Sequence, residues 1–238
     1  MPGRSGQLVE QARPAAAGPL LPSSRRPITV AVLAACIATT VVLGAWFAGQ
    51  NRAGWPDRAI DARIRSGLAG HGAVLSHIAL IGNPIAVSVA VAVLCALCLA
   101  ARNWRGAVLV TAAPAAAGAL TEYALKPLIG RILDGYLSMP SGHTAGAFSL
   151  AAALAVLLAD PRRSRPQAAL RAAVIAAAVV VAGSVAIAMV GMGAHYFTDT
   201  VAGAAVGTGA VLGCALLLDL PGRRPEGATA SGDGSVGQ

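Results

Sequence analysis

Residues 172–199 read AAVIAAAVVVAGSVAIAMVGMGAHYFTD, and the fold is decided there. The run 172–193 has no charged residue and is long enough to cross a bilayer as a helix, which takes about 20 residues. A histidine and an aspartate, His195 and Asp199, follow it at once. Working outward, comparable apolar runs occur at 28–48, 78–101, 106–125, 143–159 and 197–220. The expected fold class is all-α, an integral membrane bundle of six transmembrane helices over residues 28–220. Residues 1–27 and 221–238 are polar, without periodicity, and are expected to be disordered cytoplasmic tails.

Composition supports lipid as the solvent. The chain is 56% hydrophobic and 12% charged, against about a quarter charged in a soluble domain. Alanine and glycine dominate the runs, which favours close helix packing through small residues. The net charge of +8 does not point to nucleic acid, because aromatics are few and the basic residues lie scattered between apolar runs. The bilayer is the expected partner. Cys36, Cys95, Cys98 and Cys214 all lie inside apolar runs and read as packing residues. Cys95-x-x-Cys98 has no second pair to complete a zinc site.

With six spans, twelve of the 18 Lys and Arg residues fall on the side of the two termini. The positive-inside rule then puts both termini in the cytoplasm. The loops 126–142 and 194–196 face the opposite side together. Residues 57–69 read as a short interfacial helix, with Ile60, Ile64 and Leu68 on one stripe and Asp61 paired to Arg65. A surface anchor is the expected role.

The chemistry-bearing residues cluster at that same face. Pro140-Ser141-Gly142-His143 opens an apolar helix. A helix start offers unpaired N–H groups and the positive end of a dipole, both of which favour phosphate. Gly142 lets an anion come close to the backbone, and Ser141 suits a cap or a phosphate contact. His195 and Asp199, four apart, share a face if helical. A carboxylate on one imidazole nitrogen fixes the tautomer and leaves the other nitrogen to act. Lys126 and Arg131 flank Pro127, which is expected to end the third span. Both can supply positive charge to a phosphate.

These pieces together resemble the type 2 phosphatidic acid phosphatase (PAP2) superfamily. Its signature runs K-x6-R-P, then P-S-G-H, then S-R-x5-H-x3-D. The second part is complete at Pro140–His143, and the third keeps His195 and Asp199. The first appears shortened, as Lys126-Pro-Leu-Ile-Gly-Arg131, with Ile132 in place of the proline. Ala188 and Met189 stand where the third part has Ser-Arg, and no arginine occurs between Arg171 and Arg223.

The resemblance implies a metal-independent phosphatase acting on a lipid phosphate or pyrophosphate, of isoprenoid-carrier or phosphatidic acid type. In that scheme His195 is the nucleophile that becomes phosphohistidine. Asp199 orients it, and His143 is the acid and then the base. Lys126, Arg131, Ser141 and the Gly142 N–H hold the phosphoryl oxygens, and no cofactor or metal is required. The alanine-rich, arginine-over-lysine composition points to a bacterium, so a bacterial plasma membrane is the expected setting, with the site extracytoplasmic by the positive-inside rule. Two alternatives stay open: a phosphotransferase using the same phosphohistidine, and a weakened scaffold or lipid-binding or transport protein on the same frame.

Overall fold

The computed structural model describes residues 19–159 and 165–220. Of the two expected tails, only residues 19–27 are among them. The helices are α1 (Arg26–Phe47), α2 (Trp55–Gly67), α3 (Gly72–Ile81), α4 (Pro84–Ala100), α5 (Trp104–Ala119), α6 (Lys126–Ile129), α7 (Gly142–Leu157), α8 (Arg165–Gly191) and α9 (Phe197–Leu218). Between α6 and α7 lies a small antiparallel hairpin of β1 (Ile132–Leu133) and β2 (Tyr136–Leu137).

Four helical segments are long and apolar enough to cross a membrane: Ser23–Phe47, Trp104–Ile129, Gln167–Gly191 and Phe197–Leu218. They mark the chain as a membrane protein, and the outward faces of these helices and of α4 carry exposed apolar residues. Ile28, Val41, Val89, Leu97, Val180 and Leu217 are each more than half exposed. The six expected spans are not all confirmed by helix length and composition: four qualify, or five if α3 and α4 count as one span bent by 42°.

Local chemistry explains both shortfalls. The run 78–101 is broken because the Asn83 side chain accepts from the N–H groups of Ile85 and Ala86, starting a new helix at Pro84. The run 143–159 gives α7, whose 16 residues cover about 24 Å, short of the ~30 Å hydrocarbon core.

Pro127 does not end the third run, contrary to expectation. A π-helical turn over Leu120–Leu125 joins α5 to α6, and the Lys126 N–H bonds Thr121 O, five residues back. The widened turn needs no donor at Pro127 and makes room for its ring. The helix ends at Gly130 instead, at a left-handed φ of 62°.

Helix α9 is the core of the bundle, packed on α7, α1, α5 and α8. Its closest partner is α7, and glycine makes that approach possible. A Cβ on Gly203 would collide with the Ser141 carbonyl oxygen, and one on Gly207 with that of Ala145. This is small-residue packing of the kind lipid-soluble helices use, since apolar burial alone does not drive them together. The far end of α9 is tied by Asp219, whose carboxylate accepts from the N–H groups of Leu20 and Leu21 and pairs with Arg105 at 2.8 Å. The near end of α9, at Phe197, carries the site.

Candidate active site

The N-terminus of α9 is capped from another helix. Along α2, Asp57 and Asp61 lie on the same stripe as Ile60 and Ile64, and both carboxylates are buried. Asp61 Oδ1 accepts from the Phe197 N–H at 3.0 Å, and Asp57 Oδ1 from the Thr198 N–H at 3.0 Å. Two first-turn donors that α9 cannot satisfy itself are thereby paired. The expected pairing of Asp61 with Arg65 is present, at 3.9 Å. The role expected of this helix, a surface anchor, omits what its buried face does.

Arg131 is fully buried. Its guanidinium donates to Asp199 Oδ1 at 2.6 Å, to Thr198 Oγ1 at 2.7 Å and to Asp57 Oδ2 at 2.6 Å. It lies between the rings of Phe47 and Tyr196, 4.0 and 4.2 Å from their centroids. Stacking of a flat cation on two aromatic faces is what arginine, not lysine, allows. Arg131, expected at the phosphoryl oxygens, thus stands behind Asp199 and does not line the cavity described below. Gly130 turns the chain back at this point, which directs Arg131 into the protein.

Asp199 is held on both oxygens. Oδ1 takes Arg131, and Oδ2 accepts from the Tyr196 N–H at 3.0 Å. The same Oδ2 lies 3.6 Å from His195 Nδ1, a buried atom with no hydrogen-bond partner. Closing that gap by about half an ångström would make a normal hydrogen bond. Nε2 would then be the reactive nitrogen.

Ser141 caps α7, its Oγ accepting from the Thr144 N–H at 3.4 Å, and its own N–H donates to Asp199 O. It is fully buried. The preceding Met139–Pro140 peptide is cis. Lys126 donates to both oxygens of Glu122, at 2.8 and 2.9 Å.

A cavity of about 820 Å³ brings the rest together. His143, His195, Lys126, Gly142, Glu122 and Asp134 line its polar end. Pro84, Val87, Val91, Ala115 and Gly118, from α4 and α5, line an apolar wall. Met189 also faces this cavity, at the position where the signature has arginine. Of the seven site residues expected from sequence, four line the cavity: His143, His195, Lys126 and Gly142. Asp199, Arg131 and Ser141 lie behind it. Among the described residues, no group of three or more His, Cys, Asp or Glu is placed to hold a metal ion.

Sequence reasoning missed Asp57, Thr198 and the hairpin residues of the wall. A signal for Asp57 existed: carboxylates on the apolar stripe of an amphipathic helix need buried partners.

The fold and site define a helical membrane protein with two histidines in one cavity, at the start of its two most closely packed helices. Residues 121–221 match the PAP2 superfamily, which supports membership of that superfamily. Membership points to an enzyme, a phosphatase or phosphotransferase. The match holds every site residue expected from sequence, whereas Asp57 and Asp61 lie outside it. No curated protein and no solved structure matches the chain.

Proposed function

We propose that the protein is a membrane phosphatase that hydrolyses a lipid phosphate or pyrophosphate through a phosphohistidine, without a metal. One observation carries this reading: His143 and His195 share with Lys126 a cavity that also has apolar lining from α4 and α5. A phosphorylated amphiphile fits such a space, its head at the histidines and its tail along α4 and α5.

His195 Nε2 attacks phosphorus, forming a P–N bond as the bond to the lipid oxygen breaks. His143 gives that oxygen a proton. Asp199 accepts the Nδ1–H and stabilises the charge that His195 gains. Water then attacks phosphorus, His143 takes its proton, the P–N bond breaks, and orthophosphate leaves. Lys126 and the Gly142 N–H stabilise the phosphoryl oxygens as charge develops. Arg131 acts one layer back, holding Asp199 in place.

In the membrane, α7 completes a series of six crossings while sheathed by its neighbours, so that it need not span the hydrocarbon core alone. Both termini are then cytoplasmic and the site is extracytoplasmic, in a bacterial plasma membrane. A lipid head at that level reaches the histidines without leaving the bilayer.

A second reading draws on a specific observation. Among the described residues lining the cavity, Lys126 is the one Lys or Arg, and it is paired with Glu122. Such a site suits a slow enzyme, or a lipid-binding protein on the same frame. A phosphotransferase would use the same residues with a lipid or sugar acceptor in place of water.

Phosphate release by detergent-purified protein in EDTA separates these readings. The panel is isoprenoid pyrophosphates, isoprenoid monophosphates and phosphatidic acid. Release from a panel member supports the phosphatase. Release or transfer only when an acceptor is added favours the transferase, and silence from folded protein favours the binding protein.

A further inference from the structure

Glu122 has no part in the reaction above, yet it stands in the middle of the site. The π-helical turn carries it to the first residue of α7, where its Oε1 lies 2.7 Å from the position a Cβ would take on Gly142. Lys126 grips both of its oxygens. Glu122 therefore combines an anion, a lysine ammonium and the start of a helix, the surroundings that a phosphoryl group needs. It faces the cavity shared by His143 and His195 and is about half exposed, so burial does not lock it there.

We propose that Glu122 is a displaceable occupant of the phosphoryl subsite. This rests on the phosphohistidine reading. Glu122 holds Lys126 until a lipid phosphate takes over Lys126 and the Gly142 N–H. It returns to the same place as orthophosphate leaves. Two anions within a few ångströms of one lysine repel each other, with water at this half-exposed carboxylate screening part of the repulsion. An entering phosphate must therefore offset that repulsion from another source. A lipid does so by burying its tail against Val87, Val91 and Ala115, whereas free orthophosphate has no tail to bury. The carboxylate thus selects lipid-borne phosphate over the free anion and clears the product.

The test uses orthophosphate as the probe, on wild type, Glu122→Gln and Glu122→Ala. Its binding is followed directly by phosphorus NMR, and its inhibition is followed in the lipid assay. Both variants are expected to bind orthophosphate at least about tenfold more tightly, by loss of one repelling charge. Adding Lys126→Met should abolish that gain. Unchanged or weaker binding in both variants would overturn the proposal, even if lipid hydrolysis is robust. Tighter binding with no hydrolysis of any lipid would uphold the displaceable carboxylate and sink the phosphatase reading instead.

Discussion

Arg131 carries its charge where no water reaches it, between two aspartates and two aromatic rings. A buried ion pair is a modest source of stability, but breaking one leaves a bare buried charge. Here two carboxylates, Asp57 and Asp199, would be left. Arg131→Ala is therefore predicted to destabilise the fold by about 3–5 kcal/mol, judged by melting in detergent. A loss below about 1 kcal/mol would show the network to be better hydrated than its geometry implies. Legibility at this scale was uneven. His143 and His195 were readable because motif spacing and span ends both placed them at one face. The site of Arg131 was not, because it depends on Gly130 adopting a left-handed conformation and reversing the chain.

Helix α2 turns a surface feature into a clamp on α9. Its apolar stripe and the Asp61–Arg65 pair were legible, and the clamp was not, because period alone does not say what a stripe packs against. The clamp has a pH signature. Burial pushes the Asp61 carboxyl up to about 6, with Asp57 and Asp199 adding to the rise and the Phe197 N–H and Arg65 opposing it. The folded chain thus keeps a proton that the unfolded chain loses near about pH 4. That contribution to stability is complete below about pH 4 and is lost as pH rises through about 6. Asp61→Asn keeps an acceptor oxygen for Phe197 and has no proton to lose. The variant is predicted to gain on wild type in melting temperature as pH rises from about 4 to just above 6. Parallel curves for the two proteins would refute the assignment.

At the scale of the whole molecule, the helical class and the positions of the apolar runs were legible in composition and run length. The span count was not. Hydropathy does not register a cap inside an apolar stretch, so Asn83 breaks a helix that looks continuous in sequence. The proposed sidedness can be checked at the hairpin tip, where Asp134 lies on the cavity wall. With the four native cysteines replaced, Asp134→Cys should react with a membrane-impermeant maleimide added outside intact cells. Labelling only after the membrane is opened would reverse the orientation.

The central claim is that His195 carries phosphate during turnover. It is tested most directly by comparing wild type with His195→Ala for phosphate release from the best lipid substrate, in EDTA, with melting curves to confirm that both are folded. The account predicts loss of release by at least about a thousandfold in a folded variant, as for other covalent nucleophiles. Release at the wild-type rate from His195→Ala would contradict it.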